Sequence, residues 1–139
     1  MLEIDQKRKD GMSNGRGSSV LVVEDDEDAL ETTCIFLRSE GHRPQVARSV
    51  TEAKNALARE IFDAVILDMT LLDGSGRDVL EELAKMPLAP VVVVVSGTPE
   101  AVAIAASFGV LHVRKPYDVA DLASVLQSAH AVRARPSRA

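Results

Sequence analysis

Glu24, Asp68, Ser96 and Lys115 share one place in the pattern of the chain, each directly following a short strand-like run, and Asp25 stands one residue beyond the first of them. The runs are VLVV at 20–23, AVIL at 64–67, VVVVV at 91–95 and LHVR at 111–114. If these runs are strands of one parallel sheet, their carboxyl ends meet on a common edge, where open parallel sheets hold their ligands. Three carboxylates on that edge supply the oxygen donors of a hard-cation site, and the partial hydration that Mg²⁺ keeps suits a cleft open to water. A lysine and a hydroxyl add donors for the oxygens of a phosphoryl group. The chemistry such a set can do is phosphoryl transfer to a carboxylate, giving an acyl phosphate that water later hydrolyses.

Each of these residues also has a plainer explanation. Glu24 to Asp28 are five consecutive carboxylates, and like charges so close raise one another's pKa unless a cation or a helix terminus uses them. Asp26, Glu27 and Asp28 are adequately explained as first-turn charges of a helix. Ser96 before Gly97 suits a turn or a cap, and Lys115 alone suits any surface. Asp68 resists this treatment, because it ends the apolar run AVIL while the next helical pattern starts about eight positions later. Cys34 is the single cysteine; it cannot form an internal disulfide, and it reads as a small buried apolar side chain.

The elements that must position these groups are legible from periodicity. The runs at 20–23, 64–67 and 91–95 are unbroken and mostly β-branched, the pattern of strands buried on both faces of a parallel sheet. PQVA at 44–47 and LHVR at 111–114 are weaker strands. Between them Leu30, Cys34 and Leu37 repeat at helical spacing, with Gly41 as the stop. Ser49 and Glu52 form a capping box for a second helix. Val79, Leu80 and Leu83 line a third helix, 101–108 is a fourth, and a fifth opens at Asp118. Strict alternation predicts an α/β fold: a doubly wound five-stranded parallel sheet, order 2-1-3-4-5, with helices on both faces.

The chain has 139 residues, enough for one domain, and the absence of Trp with one Tyr and three Phe makes the core aliphatic. A net charge of −5 argues against a general nucleic-acid binder. No apolar run is long enough to span a bilayer and no signal-peptide pattern is present, so the expected location is cytoplasmic. Residues 1–18 read as a flexible leader or linker, 19–130 as the folded domain, and 131–139 as a flexible basic tail.

Taken in order and spacing, VLVVED, DAVILDMTLLDGSG, VVVVVSG and VRKP resemble the receiver domain of two-component response regulators, of the chemotaxis-regulator type. The resemblance covers 19–129 and implies a flavodoxin-like fold. It implies Asp68 as the phosphoacceptor, supplied by the phosphohistidine of a histidine kinase or phosphotransfer protein. Mg²⁺ would be held by Glu24, Asp25, Asp68 and the backbone carbonyl of Thr70. Lys115 would pair with the phosphoryl oxygens, and Ser96 would hydrogen-bond one of them and move inward as a switch residue. His112 takes the place of the family's aromatic switch, and a histidine there suggests pH-dependent signalling. Thr70 and Thr98 would set the lifetime of the phosphorylated state. The Lys115–Pro116 bond is expected to be cis, and the face of the fourth helix, fifth strand and fifth helix is the expected surface for a downstream partner or for dimerisation.

The chain departs from the family in three places. Leu72 stands where a proline is usual, His112 where an aromatic is usual, and the interval from Ser96 to Lys115 is short, which implies a shortened fourth helix region. No segment after residue 130 is long enough for a helix-turn-helix, so direct DNA binding is not expected. Two other functions fit some of the same residues. A degenerate receiver would bind partners without phosphorylation. A haloacid-dehalogenase-like phosphatase would need a second aspartate where Thr70 stands. A flavin-binding protein of the same topology lacks a Gly/Ser/Thr-rich phosphate loop after the first strand.

Overall fold

The computed structural model describes residues 17–71, 74–115 and 118–134. Five parallel strands form the central sheet: β1 (Ser19–Val23), β2 (Arg43–Ala47), β3 (Ala64–Asp68), β6 (Val91–Ser96) and β7 (Leu111–Arg114). They lie in the order β2-β1-β3-β6-β7, the expected 2-1-3-4-5 winding once strands are counted within this sheet. A second, two-stranded sheet was not anticipated. It pairs β4 (Thr70–Leu71) with β5 (Gly74–Ser75) in the loop that follows β3.

The central strands alternate strictly between two cores. Leu21, Val23, Val65, Leu67, Val92 and Val94 face α2 (Val50–Arg59), α3 (Gly76–Ala84) and α4 (Pro99–Phe108). Val20, Val22, Ala64, Ile66, Val93 and Val95 face α1 (Glu27–Ser39) and α5 (Val119–Ala134). With both faces covered there is no polar face for a strand to present, which is why the sequence shows unbroken apolar runs instead of alternation. Each fully buried Leu or Val adds roughly 1.5–3 kcal/mol of transfer free energy. Cys34 sits in the α1 layer at 5% exposure, and burial pushes its thiol above the ordinary value, as expected of a packing residue.

The helix ends follow the local chemistry of the chain. Asp26 caps α1 by accepting from the Ala29 N–H at 2.8 Å, so it precedes the first turn that Glu27 and Asp28 occupy. The Ser49 hydroxyl accepts from Glu52 N–H, while the Glu52 carboxylate reaches back to Arg48 N–H, one residue before the cap. Gly41 follows α1 with φ of +89°, a conformation that a side chain would strain.

Thr98 caps α4, Pro99 fills its first turn, and α4 keeps ten residues. Gly109 and Val110 alone then separate it from β7. The last helix runs to Ala134, past the domain boundary expected at 130. Leu72, Pro116 and the Lys115–Pro116 bond, with most of the leader and the end of the tail, lie outside the described residues.

Candidate functional site

Parallel register brings the strand ends level. Val23 pairs with Leu67, and Asp68 with Val95, so Glu24, Asp68 and Ser96 emerge side by side. Glu24 and Asp68 are buried at 7% and 6% exposure, and Asp25 is half-buried beside them. Carboxylate oxygens of Glu24, Asp25 and Asp68 all lie within 4.8 Å of one another. Lys115 enters from β7, its Nζ 3.4 Å from Asp68 Oδ2 and 3.6 Å from Glu24 Oε1.

The backbone reinforces this arrangement. Asp26 N–H donates to Glu24 Oε2 at 3.1 Å, and Thr70 N–H donates to Asp68 Oδ1 at 3.1 Å. Lys115 N–H donates to the Ser96 carbonyl at 2.9 Å, which ties the lysine to the end of β6. Gly76 closes the floor: a Cβ there would lie 2.9 Å from the Asp68 carbonyl and 2.8 Å from the Met69 Cα. The backbone therefore needs glycine at this point, and the Gly76 N–H donates to the Met69 carbonyl at 3.0 Å.

Electrostatics set the protonation of Glu24. Burial raises its pKa, the adjacent Asp68 carboxylate raises it further, and the Asp26 N–H and Lys115 ammonium act in the opposite sense; the outcome is a value pushed up to about 7. A buried carboxyl held partly protonated beside another is what a cluster short of positive charge looks like. The donor set, three acids with open access from Asp25, fits a hard divalent cation of the Mg²⁺ type.

Ser96 and Thr98 are placed differently from the acids. The Ser96 hydroxyl is buried, lies 3.3 Å from the Thr98 hydroxyl and accepts from Thr98 N–H at 3.2 Å, so its recorded bonds stay within its own turn. Thr98 Oγ1 also accepts from Ala101 N–H as the α4 cap. His112 pairs in register with Val94 and shares the face of α4; its Nε2 is buried without a hydrogen-bond partner. Two features escaped sequence reasoning: the β4–β5 hairpin, because two-residue strands carry no periodicity, and the close approach of Gly76 to Asp68, which is a contact across the loop.

Similarity to known proteins agrees with this geometry. Residues 20–127 match the response regulator receiver domain family. An NtrX-like response regulator of Rickettsia bellii is 36% identical over 117 residues, which cover 79% of this chain and 24% of that protein. The photosynthetic apparatus regulatory protein RegA of Rhodovulum sulfidophilum is 32% identical, covering 82% of this chain and 64% of that one. The chain thus spans less than two thirds of either relative.

Among solved structures, a CheY-like receiver domain from Methylobacillus flagellatus superposes with a TM-score of 0.73 at 32% identity, covering 80% of this chain and 97% of that one. A CheY-like receiver from Methanospirillum hungatei shares the fold with a TM-score of 0.77 at 24% identity, covering 82% and 94%. With the acids and the lysine gathered at the carboxyl edge of a 2-1-3-4-5 sheet, and with the family matched over most of its length, this chain belongs to the response regulator receiver domains of two-component systems.

Proposed function

We propose that the domain is a phosphorylation switch, with Asp68 accepting a phosphoryl group from the phosphohistidine of a histidine kinase or phosphotransfer protein. The observation that carries this reading is the placement of the Asp68 carboxylate, buried at a strand end, within reach of Lys115 Nζ and inside the group of three acids. An Asp68 carboxylate oxygen attacks phosphorus, the P–N bond to the donor imidazole breaks, and the imidazole leaves with a proton from solvent. Glu24, Asp25, Asp68 and the Thr70 carbonyl would hold Mg²⁺, which when bound offsets the negative charge of the phosphoryl oxygens.

Lys115 exchanges its contact with Asp68 and Glu24 for one with the new phosphoryl group. The Ser96 hydroxyl leaves its turn to donate to another phosphoryl oxygen. That movement breaks its contact with Thr98 at the start of α4, so the change at the site reaches the α4, β7 and α5 surface on which His112 borders. A downstream partner reads that surface. Thr70 and Thr98 flank the approach of the hydrolysing water. The domain acts in the cytoplasm, and none of the described helices is long and apolar enough to cross a membrane.

Intact mass after incubation with Mg²⁺ and acetyl phosphate tests the reading. The expected gain is one phosphoryl group, absent in Asp68→Asn and absent when EDTA removes the metal. No gain in folded protein that binds Mg²⁺ would sink the phosphoacceptor assignment and leave a receiver that binds partners without phosphorylation.

A further inference from the structure

Arg48 is a cation at the carboxyl edge that the mechanism above does not use. Across that edge the sheet order places Arg48 after β2, Glu24 after β1, Asp68 and Ser96 at the ends of β3 and β6, and Lys115 after β7. A cation therefore stands on either flank of the acids. Val23 pairs with Ala47 in register, and the Glu24 N–H donates to the Ala47 carbonyl at 3.0 Å, so Arg48 leaves its strand level with Glu24. Its guanidinium Nη2 donates to Glu27 Oε2 at 3.0 Å, in the first turn of α1 and two residues beyond Asp25.

The two side chains are 48% and 72% exposed, and an ion pair so open to water adds little to stability. The other bond of Arg48, from its N–H to Glu52 Oε1 at 2.8 Å, is made by the backbone and does not depend on the arginine side chain. What the pair contributes is a change in the field at the site. Glu24 to Asp28 are five carboxylates in a row beside Asp68, and a phosphodonor that approaches them is itself an anion. β2 lies two strands from β3, so a charge beyond β2 stands about 10 Å from Asp68. At low salt that is within a Debye length, and a unit charge there alters the approach of a dianion by a factor of about two to four.

We propose that Arg48 governs the acceptance of anionic phosphodonors by neutralising Glu27 on the flank of the site. The inference rests on the reading of Asp68 as phosphoacceptor and adds to it a residue that acts through the field rather than by contact. With the pair intact this flank is neutral. Without Arg48 the Glu27 carboxylate repels the donor, and without the carboxylate the arginine attracts it.

The test follows phosphorylation by acetyl phosphate, far below saturation and with Mg²⁺ saturating, by intact mass. Wild type, Arg48→Ala, Glu27→Gln and the double variant are compared at ionic strengths of about 0.05 M and about 1 M, the second screening charges beyond roughly 3 Å. At the lower ionic strength Arg48→Ala should be slower by about two- to fourfold, Glu27→Gln faster by a similar factor, and the double variant equal to the wild type. At the higher one all four should agree. Equal rates at low ionic strength overturn the proposal. So does a loss in Arg48→Ala that persists at high salt or is not relieved by Glu27→Gln, since that identifies a displaced backbone instead of a field. A wild type that gains no mass overturns the reading of Asp68 too, and differs from these outcomes in giving no rate at all.

Discussion

Glu24 carries the clearest prediction from a single side chain. Its pKa lies at about 7 in the fold against an ordinary 4.5, so between those values the folded state holds more protons than the unfolded one. Metal-free stability must then fall as pH rises through that window, at up to about 1.4 kcal/mol per unit. Thermal melts in EDTA at pH 5 and pH 8 check this: Glu24→Gln should flatten the loss, and identical profiles would sink the assignment. His112 gives a second expectation. Its buried Nε2 has no partner, so His112→Phe removes an unmet hydrogen bond and should raise stability by about 1 kcal/mol. A lower melting temperature in that variant would show that the nitrogen is satisfied in solution.

Among the elements, the loop from Asp68 to α3 and the start of α4 matter most, because both position site groups through backbone. Gly76→Ala places a methyl 2.8 Å from the Met69 Cα and 2.9 Å from the Asp68 carbonyl. The β4–β5 hairpin must shift, at a cost of roughly 1–3 kcal/mol. Because the displaced atom belongs to Asp68, phosphorylation by acetyl phosphate should slow as well; a variant with lower stability but an unchanged rate would separate the loop from the site. Thr98→Ala removes the α4 cap, costing about 1 kcal/mol by urea unfolding, and also removes the hydroxyl partner of Ser96. The helices themselves were legible beforehand, but these contacts were not. Ser49 and Gly41 announce helix ends through local chemistry, whereas the Thr98 cap of α4 emerged only from the structure and the hairpin depends on a contact between Met69 and Gly76 that no periodicity reveals.

The whole molecule couples these parts through its two cores and its charged edge. Leu37 is completely buried in the α1 layer, so Leu37→Ala should cost about 2–5 kcal/mol. That loss should leave phosphorylation chemistry intact wherever the protein remains folded. Cation binding at the acids acts on the same folding equilibrium. At a Mg²⁺ concentration of about one hundred times its dissociation constant, stability should rise by about 2.7 kcal/mol. The rise should be small in Asp25→Asn, and an equal rise in both proteins by thermal melt would place the cation elsewhere.

The order of elements and the winding of the sheet were already present in the chain, because buried parallel strands demand unbroken apolar runs and their helices demand a 3.6-residue repeat. The grouping of Glu24, Asp25, Asp68, Ser96 and Lys115 on one edge followed from their places at strand ends. What that pattern could not contain is distance. Only the register of β1, β3, β6 and β7 decides that Asp68 is close enough to raise the pKa of Glu24 and that Lys115 reaches both carboxylates. Only folding decides that the Ser96 hydroxyl turns toward Thr98, and that a cavity opens where the chain enters the sheet. Local patterns report which face a residue occupies, whereas burial and electrostatic coupling arise between residues far apart in sequence and exist only after the layers have packed.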